Sequence, residues 1–212
     1  MKKCTVILVV LLLVFSIGQA AFAKGSLSLN VGYGFFPKDT YDVDAVAGIN
    51  LNLSANYYLT NEFSLAGEVS ALLVKDIILS FMHVELFAKY DLFKNNTVTI
   101  GIQAGARDVF CLADISEVQP YALFYGLGIY GVYNISALDI SADFKVFPTY
   151  SYAVLTFFSF TYSAKLGVSY EISDSIGLGI EAQISNSKMQ FSGPGSDVPF
   201  DFNVGIKASY NF

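Results

Sequence analysis

The sequence has little charge and no long apolar segment beyond its first residues. Asp, Glu, Lys and Arg make up 14% of its 212 residues, tryptophan is absent, and His83 is the single histidine. Soluble proteins carry about 25% charged residues, so a soluble domain is not favoured. After residue 23 no segment approaches the roughly 18 consecutive apolar residues of a membrane helix. Low charge without a long apolar run is typical of membrane strands and excludes membrane helices.

The first 23 residues have the pattern of a secretory signal peptide. Lys2 and Lys3 precede an apolar run at 6–17, which is shorter than the ~20 residues that a spanning helix needs. Ala21 and Ala23 then form a small-x-small cleavage site. We therefore predict a signal peptide at 1–23 and one domain at 24–212, in which ten basic residues accompany eighteen acidic ones. An acidic exported chain is not expected to bind nucleic acid.

Cysteine is equally scarce. Cys4 would leave with the signal peptide, so Cys111 is the remaining thiol. One cysteine cannot form an internal disulfide, and stability must come from backbone pairing and burial. We expect Cys111 to be an inert loop thiol, with a metal-binding or nucleophilic role as the alternative.

Ten segments alternate apolar and polar residues with a period of two, which is typical of β-strands. Each has 9 to 13 residues, close to the ~9 to 11 that a tilted strand needs to cross the hydrocarbon. Every second segment, five in all, has a tyrosine at or near its end, which indicates a repeated hairpin unit. The segments are 27–35, 47–57, 63–73, 78–90, 98–106, 121–133, 138–146, 158–170, 176–184 and 200–212.

The two faces of these segments differ in charge. One face has no charged residue, whereas the other is rich in Gly, Ser, Asn and Thr. The charged residues of the second face are Glu68, Glu85, Lys89, Asp139, Asp143, Lys145, Lys165, Glu181, Asp201 and Lys207. A lipid-facing Lys or Arg at mid-depth costs roughly 2 to 4 kcal/mol, while a soluble sandwich needs its charges outside. We predict an all-β fold, a closed up-and-down antiparallel transmembrane β-barrel of ten strands, with eight as the alternative.

The connections between segments predict the orientation. Short ones follow the tyrosine-ended segments, at 58–62, 91–97, 134–137 and 171–175. The other connections are expected to face outside and lie at 36–46, 75–77, 107–120, 147–157 and 185–199, of which all but 75–77 are longer than a tight turn requires. Short turns of membrane barrels are periplasmic. Tyr57, Tyr90, Tyr133 and Tyr170 are therefore expected to form a periplasmic aromatic girdle, where ring and hydroxyl both find a suitable medium.

The last segment carries a family resemblance. Val204, Ile206, Ala208, Tyr210 and Phe212 share one face, and an aromatic last residue with another two positions earlier resembles the assembly signal of bacterial outer-membrane barrels. With its leader, the chain resembles the small barrels of the OmpA, OmpX and OmpW kind over its whole mature length. Those relatives have eight strands, whereas ten are counted here.

The resemblance implies export through the periplasm into the bacterial outer membrane, with outer-membrane lipid as the surroundings. It also implies that the barrel assembly machinery recognises the C-terminal strand through Tyr210 and Phe212. It does not specify a function, because this architecture hosts structural anchors, pores, adhesins and lipid enzymes.

The ten inward charges bear on what the lumen does. Unpaired charges in a narrow lumen cost several kcal/mol each, so we expect a ladder such as Asp143 and Lys145 with Lys165 and Glu181. Eight-stranded barrels are filled by side chains and barrels of sixteen or more strands are open. We therefore predict a structural or surface-interaction protein with a largely plugged polar lumen, and a narrow pore for small solutes or ions as the alternative.

Larger apolar residues on the inward face give a further alternative. We expect them to pack against smaller residues, although they could also line a path for a small apolar molecule. They are Leu72, Leu79, Phe81, Phe87, Phe124, Tyr130 and Val132.

His83 is the candidate catalytic residue, with Glu85 to orient it and Ser80 or a serine on another strand as nucleophile. Residues two apart on a strand lie about 6.6 to 7 Å from each other, too far for direct bonding. We therefore expect His83 to be a buried polar lumen residue and the protein not to be an enzyme, with a lipid hydrolase as the alternative.

Two further patterns predict no cofactor and no metal. Gly126, Gly128 and Gly131 match the letters of a dinucleotide motif but lie inside a strand. The inward Gly126 and Gly128 are expected to make room for large neighbours such as Phe124 and Tyr130. The acidic outer connections lack the ligand spacing of a calcium loop and are expected to be solvated. The sequence specifies no partner for these connections.

Overall fold

The computed structural model describes residues 24–36, 46–73, 81–111, 121–152, 155–186 and 201–212. The predicted signal peptide, Leu79, Ser80 and much of the predicted outer connections lie outside these ranges. Within them, no helix is long and apolar enough to cross a membrane.

Ten antiparallel strands form a closed barrel, in which each strand pairs with its neighbours in sequence and β1 pairs with β10. This confirms the predicted ten-stranded up-and-down barrel, and the eight-stranded alternative is wrong. The strands are β1 Gly25–Phe36, β2 Val46–Tyr58, β3 Phe63–Leu73, β4 Phe81–Lys94, β5 Val98–Cys111, β6 Tyr121–Ile135, β7 Leu138–Tyr152, β8 Leu155–Ser173, β9 Ile176–Ser185 and β10 Asp201–Asn211.

The predicted outer loop at 147–157 is wrong. β7 continues to Tyr152, which lies opposite Leu155 of β8, so the strands are separated by two residues. Pro148 has no N–H to donate, and both ladders of β7 shift register beside it. Such a bulge interrupts the alternation of faces. The alternating pattern therefore stops near 146 although the hairpin continues.

Outward side chains of the wall are mostly apolar and inward ones are mostly polar. Ile206 is 69% exposed and Leu166 63%, whereas the inward Gln103 and Ser163 are 3% and 2% exposed. This inverts the arrangement of a soluble protein, because the exposed face is the apolar one.

The barrel closes where β1 meets β10. Gly25 and Phe212 exchange two backbone hydrogen bonds, of 2.9 and 3.0 Å. The Phe212 ring lies 6.2 Å from the ring of Tyr210 and 5.9 Å from that of Tyr57 on β2. A Cβ on Gly25 would lie 2.8 Å from the Phe212 ring, so only glycine lets this ring lie across the first strand.

Candidate functional site

A buried ion cluster centred on Glu85 of β4 lies inside the barrel. Arg107 of β5 donates from Nε to Glu85 Oε1 at 2.6 Å, and its Nη2 lies 2.5 Å from the same oxygen. Lys145 of β7 donates to Glu85 Oε2 at 2.6 Å. The side chains of Glu85 and Arg107 are each 2% exposed and that of Lys145 8%. The cluster therefore has little contact with solvent.

Glu68 of β3 lies directly opposite Glu85 in the strand register. Two carboxylates in this position repel each other unless cations compensate them. Lys165 of β8 donates to Glu68 Oε2, and Asn52 donates to Oε1 at 2.6 Å. Two carboxylates and three basic side chains, those of Arg107, Lys145 and Lys165, thus form one layer across the lumen, called the charged layer below.

Three rings pack against the charged layer. Phe147 meets the rings of Phe87 and Phe124 edge-on, with centroids 6.0 and 6.4 Å away. The Arg107 guanidinium lies 4.3 Å from the Phe147 centroid, and Lys145 Nζ lies 4.6 Å from that of Phe87. Stacking of cations on ring faces is favourable when both are desolvated.

Gly126 makes room for this aromatic cluster. A Cβ at Gly126 would lie 2.7 Å from the Phe147 ring and 3.2 Å from Phe87. Sequence reasoning expected Gly126 to make room for Phe124 and Tyr130 instead.

His83 lies beside both carboxylates. Its Nε2 is 3.8 Å from Glu68 Oε1 and 4.0 Å from Glu85 Oε1, beyond the distance of a good hydrogen bond. Ser70 is its cross-strand partner, but the Ser70 hydroxyl donates to Asn50 Oδ1 at 3.1 Å. The described residues therefore contain no serine hydroxyl bonded to His83.

Glu68, His83 and Glu85 offer ligand atoms within 4.8 Å of one another, as a metal site would. Arg107, Lys145 and Lys165 already neutralise the two carboxylates, however, and a divalent cation would meet a net positive layer. The donor set does not fit a metal while these cations are in place.

A cavity of about 500 Å³ lies on the turn side of the charged layer and reaches Asn95 and Asn96 in the connection between β4 and β5. Its wall holds serine hydroxyls, asparagines and charges of both signs. The serines that line it are Ser26, Ser28, Ser54, Ser64, Ser141, Ser169 and Ser209. Among the described residues, Glu68, Glu85 and Lys145 of the charged layer line it, whereas Arg107, Phe124 and Phe147 do not.

Looser ion pairs occupy the cavity wall. Lys89 Nζ lies 3.8 Å from Asp143 Oδ2, to which Gln103 donates at 2.9 Å. Lys207 lies 3.2 Å from Glu181. These four charged side chains are 12% to 24% exposed, more than those around Glu85.

A further group of side-chain contacts, centred on Asp91, lies at the turn-side opening of the cavity. Tyr130 donates to Asp91, and Lys94 donates to the same carboxylate at 2.9 Å. Lys89 lies over the Tyr130 ring, 4.5 Å from its centroid. Asp91 was predicted to lie in the turn at 91–97, but β4 continues past it and is bulged beside Leu92.

The predicted lumen charges thus fall into three groups. Glu68, Glu85, Lys145 and Lys165 meet in the charged layer; Lys89, Asp143, Glu181 and Lys207 form the looser pairs; Asp139 lines the cavity without a direct ion pair among the described contacts. The side chain of Asp201 lies outside the described residues. So does that of Cys111, whose backbone is the end of β5 and not a loop.

The observed ion pairs agree with the predicted ladder only in part. Lys145 binds Glu85, and Lys165 binds Glu68, while the predicted pair of Lys145 and Asp143 is present at the longer distance of 3.9 Å. Sequence reasoning missed Arg107 and Phe147, because both were assigned to outer connections. The sequence did contain a signal for both residues. The odd-numbered positions of β5 and β7 face inward, and this alternation continues to Arg107 and to Phe147.

Comparison with known proteins gives one family match. The family model described as "Outer membrane protein beta-barrel domain" matches residues 7–212. No curated protein matches the chain.

Solved structures also resemble the chain. Neisserial surface protein A is 11% identical, with 89% of this chain and 97% of that chain covered and a TM-score of 0.49. The N-terminal barrel domain of Pseudomonas aeruginosa OprF is 10% identical, with coverages of 89% and 97% and a TM-score of 0.42. The attachment invasion locus protein Ail of Yersinia pestis is 12% identical, with coverages of 90% and 99% and a TM-score of 0.33.

Proposed function

Because the chain belongs to the outer membrane protein beta-barrel domain family and is a protein of the bacterial outer membrane, we propose that it is a non-enzymatic barrel with a structural or surface-interaction role. In this proposal the charged layer and its aromatic cluster plug the lumen. The family and the location agree with the resemblance in the sequence, whereas the plug is our inference.

The observation that supports the plug is the Glu85 cluster. Glu85 is bound from two other strands, by Arg107 at 2.5 Å and Lys145 at 2.6 Å. Phe147 is fully buried against it. Opening a path here would separate desolvated charges, which costs several kcal/mol. The cavity below is consequently a blind vestibule that opens towards the periplasm.

Conductance of the refolded protein in a planar bilayer tests this proposal. We expect the wild type to give no stable open steps. The variant Phe147→Ala, which removes a fully buried ring from the plug, tests whether the recording can detect an opening, and Phe144→Ala on the outward face is its matched control. Stable steps in the wild type would refute the plug.

The alternative is a narrow pore, and the vestibule favours it, because a polar cavity already occupies the periplasmic half of the lumen. A pore would conduct in the wild type, and its selectivity would change when Asp139 or Asp143 is neutralised, since both line the vestibule. If the wild type gives no conductance steps and Phe147→Ala does, this alternative is excluded.

Absence of catalysis is the second part of the proposal. His83 lies inside the barrel, where acyl chains of the surrounding lipid do not reach, and Ser70 is bonded to Asn50. We expect no fatty acid release when the refolded protein is incubated with phospholipid vesicles. Release that is abolished by His83→Ala would refute this part.

A further inference from the structure

A ring of apolar residues lies beyond the tyrosine girdle on the turn side. Each of the five tyrosines at 57, 90, 133, 170 and 210 is followed two positions later by a large apolar residue, and all five of these are exposed, from 37% to 60%. We call them the lower ring: Leu59, Leu92, Ile135, Ile172 and Phe212.

Strand geometry relates the lower ring to the thickness of the membrane. On β6 the large side chains that are exposed run from Tyr125 to Ile135. With a rise of about 3.4 Å per residue and a tilt near 40°, ten residues span about 26 Å along the barrel axis, and the eight residues to Tyr133 span about 21 Å. The apolar band of membrane barrels is about 25 Å tall. The band therefore fits when it ends at Ile135 and is too short when it ends at Tyr133.

Asp108 marks the upper end of the apolar band. Asp108 has the outward parity of β5 and lies opposite Leu123 of β6, two positions above Tyr125. A carboxylate at this position places the outer edge of the hydrocarbon close to Tyr125. The span that begins at Tyr125 is therefore the relevant one.

The distribution of the lower ring indicates which partner covers it. Each of the five strands that end on the turn side contributes one residue at or just after its end, and β4 adds Phe93 at 53% exposure after its bulge. A protein partner would cover one side of the barrel, whereas lipid surrounds it on all sides. The ring is also continuous with the lipid-facing wall through the tyrosines.

We propose that the lower ring binds the inner leaflet, at the boundary between acyl chains and headgroups, and that the tyrosines lie inside this boundary. The short turns then lie in the headgroup layer, and the vestibule opens at the membrane surface itself. This inference depends on the outer-membrane location and not on whether the lumen is plugged.

Single-tryptophan variants can measure this depth, because the natural chain has no tryptophan. The lower ring is probed with Ile135→Trp, the middle of the band with Ile129→Trp, and the exposed turn with Asn96→Trp as the matched control at headgroup level. Each variant is refolded into phosphatidylcholine vesicles without other protein. Quenching is measured with lipids brominated on their acyl chains and with aqueous iodide, after circular dichroism has shown a folded barrel.

We expect Ile135→Trp to be quenched by the brominated lipids, less than Ile129→Trp, and to be protected from iodide relative to Asn96→Trp. Its emission should be shifted to the blue of the turn variant. Ile172→Trp on β8 should behave in the same way, and it replaces Ile135→Trp if that variant does not fold. If Ile135→Trp were quenched by iodide as strongly as Asn96→Trp and were not quenched by the brominated lipids, the proposal would be overturned. The lower ring would then contact water or a protein partner instead of lipid.

Discussion

Replacing Glu85 by glutamine tests the energetics of the charged layer. The side chain keeps its shape but loses its charge, so Arg107 and Lys145, which are 2% and 8% exposed, become desolvated cations without their counterion. Breaking a buried ion pair in this way costs about 3 to 5 kcal/mol. We expect the free energy of unfolding to fall by that amount.

Glu181→Gln is the matched control. Its partner Lys207 is 3.2 Å away and 24% exposed, and ion pairs that reach solvent contribute about 1 kcal/mol or less. The two effects should therefore differ severalfold. Adding Lys145→Met to Glu85→Gln should recover part of the loss, because it removes one of the two uncompensated cations.

The measurement is urea unfolding in lipid vesicles, followed by far-ultraviolet circular dichroism because the chain has no tryptophan. Unfolding and refolding curves must coincide for the free energies to be compared. If Glu85→Gln and Glu181→Gln both lay within about 1 kcal/mol of the wild type, the charged layer would have to be hydrated, and the reasoning from burial would be refuted.

Two further predictions concern packing. Gly126→Ala places a Cβ 2.7 Å from the Phe147 ring and should destabilise the barrel by about 1 to 3 kcal/mol in the same unfolding assay. Gly131→Ala has its nearest contact at 3.6 Å and should be close to neutral; equal effects would contradict the packing argument. Phe212→Ala removes the ring contact with Tyr57 and should lower the unfolding midpoint of protein refolded without assembly machinery, which an effect on recognition alone would not do.

Much of the wall could be predicted from the sequence because the lipid requires a strict alternation. The predicted segment 63–73 coincides with β3, where apolar and polar positions alternate without a bulge. Prediction failed where a local irregularity broke the period. The alternation of β7 appeared to end at Pro148. Because of the bulge beside Leu92, Asp91 was assigned to a turn, although its carboxylate accepts a hydrogen bond from Tyr130 at the opening of the cavity.

The contacts inside the lumen could not be predicted in the same way. Parity indicated that Glu85, Lys145 and Lys165 face inward, but it contains no information on which strands oppose each other across the barrel. Lys145 and Glu85 are 60 positions apart, and Lys165 and Glu68 are 97 apart. Which of these distant residues come into contact can be worked out only when the strand number, tilt and stagger of the barrel are all known.

The seam between β1 and β10 has a consequence for folding kinetics. Nine of the ten strand pairings join consecutive strands and are local in sequence. The tenth places Leu27 opposite Tyr210, and these two residues are separated in sequence by almost the full length of the domain. Pairings of such high contact order form slowly. Until this one forms, both sheet edges expose unpaired backbone groups, each of which costs several kcal/mol in lipid. We therefore expect seam closure to be the rate-limiting step, and a chain truncated before β10 to aggregate through its open edges instead of persisting as a smaller barrel.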